Sequence, residues 1–201
     1  TIIVAVIASI ISTVIGTISA IAIHNMSPRR KAILTNLSYI PMVNPDIVIG
    51  ISLLSFFSIL NLKLGYITLI LAHITFNIPY VIFAVLPKLQ QLNPNIEEAA
   101  LDLGATPIQA FFKVILPEIM PGIITGSLLA FTLSLDDFIV SFFTTGSGVS
   151  TLSIKVYSMT KRGISPKINA LSSLMFIAVL ALMLLLQLRD AKNKSQSDNV
   201  R

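Results

Sequence analysis

Two adjacent aspartates, Asp136 and Asp137, lie inside an apolar run that covers about residues 121–143. Each aspartate costs about 2.5–3.5 kcal/mol at the centre of a membrane helix, which roughly cancels the gain from the apolar side chains of the run. A lipid-exposed acid pair would leave this segment barely inserted, so we expect the pair to face protein or water. Carboxylates at that depth are typical of ion and substrate pathways.

Helical spacing separates the two acids. Steps of three or four residues from Asp137 follow a face that is entirely small or polar: Gly126, Ala130, Ser134, Ser141 and Thr145. The same walk from Asp136 follows a mostly apolar face, about 100° around the helix. We therefore expect Asp137 and Ser134 to face a translocation path. Asp136 is a second candidate for that path, on a side of the helix that could instead meet a neighbouring helix. The alternative is an acid paired internally with a basic or hydroxyl group.

Two further places carry polar side chains that could line a path. His73 and Asn77 are four residues apart on one face of an apolar segment, so they could hydrogen-bond to each other at a helix interface or line a pore. Tyr157 lies in a segment, about 150–168, that is too polar to span a membrane and reads as an interfacial or re-entrant amphipathic helix on the outer side. Tyr157 is an interface anchor or a substrate contact.

The composition requires a membrane to surround these groups. The chain has 201 residues, 54% of them hydrophobic and 11% charged, with a mean hydropathy of +0.86. Globular domains carry about 25% charged residues, so we predict an all-α, polytopic bundle of transmembrane helices. The absence of cysteine excludes disulfides and thiolate metal sites. The net charge of +5 reflects cations beside apolar runs, which indicates membrane topology rather than nucleic-acid binding.

The predicted spans cover five segments: about 1–23, 38–60, 64–86, 121–143 and 170–188. The distribution of lysine and arginine places the C-terminus in the cytoplasm and Thr1 outside. We therefore expect a membrane domain over 1–188, a polar cytoplasmic tail over 189–201, and an earlier span that this chain lacks.

The second span has a readable helix start at Asn44-Pro45-Asp46, with Asn44 as the N-cap and Asp46 as the acid of the first turn. From Pro45 to Leu60 the helix would be about 24 Å long, which is short of the hydrocarbon core. Residues 38–43 must therefore complete the crossing as a broken or kinked segment.

The loop over about 88–117 contains a short amphipathic helix with acids in its first turns and a glycine at its end. A helix of this kind between two spans is a natural docking element for a soluble partner. Glu98-Ala99-Ala100, then Gly104, then Val114-Ile115-Leu116-Pro117 at the same spacing resembles the EAA loop of binding-protein-dependent ABC importer permeases. Val114 stands where isoleucine is usual.

The resemblance covers nearly the whole chain. The stretches 45–48, 73–77, 131–137 and 157–166 are similar to permeases of spermidine/putrescine importers. That family has six spans in a type I importer (MetI-like) fold, and the spans predicted here would be its second to sixth.

The family resemblance implies a mechanism and a set of partners in the bacterial inner membrane. A second permease subunit completes the pathway, a pair of cytoplasmic ATPase subunits binds the EAA helices, and a periplasmic or lipid-anchored binding protein delivers the polyamine. Glu98, Ala99, Ala100 and Gly104 match the coupling residues of the family. The chain itself has no nucleotide-binding loop, so we expect a transport subunit without catalytic residues, cofactor or metal.

Three other functions compete with this interpretation, and the residues disfavour the last of them. The same architecture could carry iron(III), thiamine or sulfate, although an anion path would favour basic groups over Asp137. A proton-coupled carrier would also explain buried acids. An intramembrane aspartyl protease needs carboxylates on different helices, which the adjacent pair Asp136 and Asp137 does not offer.

Overall fold

The computed structural model describes residues 1–160, 166, 169–170, 172–181 and 183–184. Every regular element in the first 160 residues is helical: α1 (Ile2–His24), α2 (Pro28–Val43), α3 (Asp46–Ile59), α4 (Tyr66–Gln91), α5 (Ile96–Asp102), α6 (Pro107–Ala110), a π-helical turn (Phe111–Ile115), α7 (Leu116–Asp136), α8 (Ile139–Thr144) and α9 (Leu152–Thr160).

The chain divides into two compact units, residues 1–154 and 155–201. The first unit contains α1 to α8 and the beginning of α9. The described part of the second unit contains the end of α9 and the apolar helix Ser172–Ala181.

Within the described residues, three helices are long and apolar enough to cross a membrane: Ile2–His24, Tyr66–Gln91 and Pro107–Asp136. The pair α2 and α3 would make a fourth span if it is counted as one element, bent by 103°. Helices therefore occupy the first four predicted spans. The fifth, 170–188, lies partly outside the described residues.

The centre of the first unit is formed by α1, α4 and α7, which pack on one another. The buried face of α1 is made largely of small residues: Val4, Ala5, Ala8, Ser9, Ser12, Gly16 and Ala20. In a membrane, small residues allow two helices to approach closely without relying on hydrophobic exclusion of water. α7 uses the same device, because a Cβ on Gly126 would lie 3.2 Å from the Cα of Val81 on α4.

The break between α2 and α3 confirms the predicted kink and corrects its details. α3 begins at Asp46, as predicted to within a residue, but Asn44 ends α2 and its side chain does not cap α3. Residues 38–43 are helical rather than irregular, and the direction changes sharply instead at Asn44. The cause is Pro45, since a residue before proline is pushed out of the helical region, and Asn44 has ψ 141°.

The fourth span was predicted to be one continuous helix, and that prediction is wrong. α7 ends at Asp136 and α8 begins at Ile139. Asp137 leaves the helical region with φ −57° and ψ 125°, and its side chain then caps the helix that follows. Within the described residues, two of the predicted spans are thus broken, and each break carries an aspartate.

Candidate functional site

The two helix breaks lie beside each other. α3, which begins at Asp46, packs on α8, and Asp46 lies within electrostatic range of Asp136 and of Tyr80 on α4. Gly50, one turn into α3, makes this approach possible, because a Cβ there would stand 2.8 Å from the Phe143 ring on α8. Asp46 and Tyr80 therefore belong to the site, although the sequence analysis assigned neither of them to it.

The Asp137 carboxylate is used inside the chain. Its Oδ1 accepts a hydrogen bond of 3.1 Å from the backbone N–H of Val140, and its Oδ2 accepts one of 2.7 Å from the N–H of Ser141. Its side chain is 6% exposed. An acid in this position satisfies donors that α8 would otherwise leave unpaired in an apolar setting, and it offsets the positive end of the helix.

His73 joins α4 to the same corner. Its Nε2 shares a hydrogen bond of 3.0 Å with Ser141 Oγ and lies 3.6 Å from Asp137 Oδ2. The imidazole is 1% exposed. His73 therefore contacts both the cap of α8 and the first turn that it caps.

Asn77 contacts the other side of the break. Its Nδ2 donates a hydrogen bond of 2.7 Å to Ser134 Oγ, and both side chains are buried. The sequence suggested that His73 and Asn77 could bond to each other; each bonds instead to a serine across the helix interface. The small and polar face of the fourth span, from Gly126 to Thr145, thus packs against protein and is buried apart from the edge of Asp137.

Asp136 is the exposed acid of the pair. The charged groups that act on it are Asp137 and Asp46, both acidic. α3 and α8 begin at the same two breaks at which α2 and α7 end, so the opposite ends of the helix dipoles largely offset each other there. The acids Asp46, Asp136 and Asp137 are what make this place favourable for a cation.

Tyr157 lies on α9, whose residues from 155 onward belong to the second unit. The predicted amphipathic segment is helical over Leu152–Thr160, and its remainder falls mostly outside the described residues. In the described part of the chain, no cluster of three or more metal-ligating side chains occurs.

The predicted coupling loop forms the second candidate site. α5 is the predicted short helix, with Glu97 and Glu98 in its first turn. Gly104 follows at φ +84°, a left-handed conformation that glycine adopts without strain, and it ends the helix as expected. Glu98 and Ala99 are exposed, whereas Ala100 is buried and so faces the chain's own interior.

The surface around α5 exposes large apolar side chains that the rest of the loop leaves uncovered. Leu103 is 90% exposed, Ile108 71% and Phe112 60%. α6, between Leu103 and Phe112, is fixed by a reciprocal cap in which Thr106 and Gln109 bond to each other's backbone N–H. Apolar side chains held on a rigid loop beside exposed acids are typical of a protein-binding surface.

The sequence matches the family described as binding-protein-dependent transport system inner membrane component over residues 12–193. It is 39% identical over 186 residues to the spermidine/putrescine transport system permease protein PotC of Haemophilus influenzae, which covers 92% of this chain and 72% of that protein. PotC of Escherichia coli is 39% identical over 199 residues, or 98% of this chain and 75% of the relative. The putrescine transport system permease protein PotI of Escherichia coli is 47% identical over 145 residues, or 69% of this chain and 52% of the relative.

Proposed function

The chain belongs to the family of inner membrane components of binding-protein-dependent transport systems, and we propose that it forms half of the translocation pathway for polyamines in an ATP-driven importer. As a member of that family it is a multi-pass membrane permease subunit and not an enzyme. The observation that carries the cargo proposal is the exposed Asp136 at a helix break, with the second acid Asp46 near it. The relatives PotC and PotI, which are named for spermidine and putrescine transport, support the same cargo.

The groups near the α7–α8 break suit a polyamine. Its ammonium groups donate hydrogen bonds to carboxylates and pack on aromatic faces. Discontinuous membrane helices that present their ends to an ion are a recurring way to build such a site. Because a cargo must also leave, a site with one exposed acid and one neighbouring acid is better suited to transport than a tight cage.

Within this site the side chains divide the work. Asp136 meets the cargo, and Asp46 and Tyr80 contribute charge and an aromatic face. Asp137, Ser134, His73 and Asn77 form the wall behind Asp136. Tyr157 remains a separate proposal, either as a substrate contact or as an anchor at the membrane interface. A sulfate path would instead require donors, and the groups that act on Asp136 are acids.

The coupling loop supplies the remaining partners. Its exposed surface of Leu103, Ile108 and Phe112, with Glu98 and Ala99 on α5, docks one of two cytoplasmic ATPase subunits. A second permease subunit provides the other half of the path, and a substrate-binding protein delivers cargo from outside. In this proposal the loop and the C-terminal tail lie in the cytoplasm.

The experiment that tests the function is uptake by the complete transporter in proteoliposomes. The chain is purified with its ATPase and second permease, and uptake of labelled spermidine, putrescine, iron(III), thiamine and sulfate is measured with ATP enclosed and the binding protein outside. We expect ATP-dependent uptake of the two polyamines alone, unaffected by an ionophore that collapses the proton gradient. Uptake of another cargo in place of polyamines would refute the cargo, and uptake driven by a proton gradient without ATP would favour a secondary carrier.

A further inference from the structure

One helix, α4, holds both sides of the break between α7 and α8. On the α7 side, Asn77 donates its hydrogen bond to Ser134. On the α8 side, His73 bonds to Ser141, and the Thr68 hydroxyl donates a bond of 2.8 Å to the backbone carbonyl of Thr144. These three residues of α4 lie within about 14 Å along the helix. Their partners follow in reverse order along the chain, so the last residue of α4 in the series bonds to the first partner, before the break.

We call these three bonds, Thr68 to Thr144, His73 to Ser141 and Asn77 to Ser134, the polar ladder. The side chains of the ladder are buried, so breaking one of its bonds is costly. Thr68, His73, Asn77, Ser134 and Ser141 are each 3% exposed or less. A buried polar group that loses its partner keeps the full cost of leaving water, so the ladder resists opening. The break between α7 and α8 is therefore held by α4 on both of its sides.

Asp136 lies at the α7–α8 break, but none of the three bonds of the ladder involves it. It is two residues from Ser134, or about 200° around the helix, so it points away from α4. It directly precedes Asp137, whose side chain is held by α8 and faces His73. The backbone of Asp136 is thus fixed on both sides while its carboxylate stays exposed.

We propose that Asn77 and His73 are positioning residues, which aim Asp136 into the path by holding the α7–α8 break against α4. This inference rests on the proposed cargo-binding role of Asp136. It assigns to two buried side chains an effect on cargo affinity that they exert without touching the cargo.

A double-mutant cycle on the apparent KM of spermidine uptake, with the complete transporter in proteoliposomes, tests the inference. Loss of one neutral hydrogen bond corresponds to about a three- to tenfold effect. We expect Asn77→Ala to raise KM by that factor with the maximal rate per assembled transporter nearly unchanged. In an Asp136→Asn background, we expect Asn77→Ala to change KM less than about twofold. The reason is that the Asp136 carboxylate, whose direction Asn77 controls, is already absent.

Three further variants keep the result interpretable. Ser134→Ala removes the same bond with a smaller change of volume and carries the cycle if Asn77→Ala does not assemble. The exchanged pair Asn77→Ser with Ser134→Asn restores a donor and an acceptor, and we expect its KM to return toward that of the parent. Thr75→Val is the matched control on α4, because the Thr75 hydroxyl bonds only to the carbonyl of Leu71 on an exposed face.

The outcomes separate this inference from the function on which it rests. If Asp136→Asn alters KM but the effect of Asn77→Ala is equally large in both backgrounds, the ladder serves only helix packing and the positioning role is refuted. If Asn77→Ala lowers only the maximal rate, the role is refuted as well. If Asp136→Asn leaves KM unchanged, both the cargo-binding role of Asp136 and the inference fall.

Discussion

Replacing Asp137 distinguishes an acid that serves the fold from one that serves the cargo. Asp137→Ala removes both acceptors of α8, the bonds of 3.1 and 2.7 Å to Val140 and Ser141. Loss of an N-cap acid costs about 0.5–2 kcal/mol. Because the side chain is 6% exposed and water cannot replace it easily, we expect a value near the upper limit. Asp137→Asn keeps one of the two acceptor oxygens and sets an amide NH2 against the other backbone N–H, so it should cost about half as much, near 1 kcal/mol.

The assay is the heating of the assembled transporter in nanodiscs, with the intact fraction measured by size-exclusion chromatography. A loss of 2 kcal/mol corresponds to a fall of about 4–8 °C in the midpoint for a chain of this size. We expect that fall for Asp137→Ala and at most half of it for Asp137→Asn, which should also keep most of its polyamine uptake. Asp136→Ala is the matched control, because this neighbouring acid is exposed and caps no helix.

The opposite pattern would refute the reasoning. If Asp137→Ala leaves the midpoint unchanged while Asp137→Asn abolishes uptake in an assembled transporter, the Asp137 charge itself meets the cargo. The assignment made from helical spacing alone would then be right, and the hydrogen bonds to α8 would be incidental.

Three other perturbations follow from the structure. Gly104→Ala forces a side chain into φ +84° and should cost about 1 kcal/mol, lowering the amount of ATPase that copurifies, whereas Gly65→Ala, at an extended φ in open space, should change nothing. Leu103→Asp, at a residue that is 90% exposed, should abolish ATPase copurification without lowering the thermal midpoint of the isolated chain; a normal yield of ATPase would remove Leu103 from the interface. Gly16→Ala places a Cβ 2.6 Å from the Cβ of Val81 and should destabilise the packing of α1 on α4 by about 1–3 kcal/mol, so an unchanged midpoint in the heating assay would contradict the packing described.

The features that the sequence predicted correctly are those determined by local chemistry. Pro45 removes a backbone donor and restricts Asn44, so the kink before α3 was readable from three residues. The end of α5 at Gly104 follows from a single glycine. The helices α1 and α4 were predictable from hydropathy alone. A long apolar segment in lipid must form its backbone hydrogen bonds internally, and a single segment does so as a helix.

The features that the sequence missed depend on contacts between distant segments. Nothing in Leu135-Asp136-Asp137-Phe138 signals a helix break, because an aspartate becomes a cap only when the backbone turns and its neighbours hold it there. The small and polar face of α7 was equally consistent with a path and with close packing against another membrane helix. The proximity of Asp46 to Asp136 joins residues 90 positions apart and could not be inferred from spacing.

The most direct measurement of the central claim is spermidine uptake by the complete transporter with Asp136→Asn and Asp136→Glu. One exposed charge pair in a partly screened site corresponds to about a tenfold change in affinity. We predict that Asp136→Asn raises the apparent KM for spermidine by about that factor, while basal ATPase activity and assembly stay normal and Asp136→Glu recovers most of the affinity. Unchanged spermidine uptake in an assembled Asp136→Asn transporter would contradict the account.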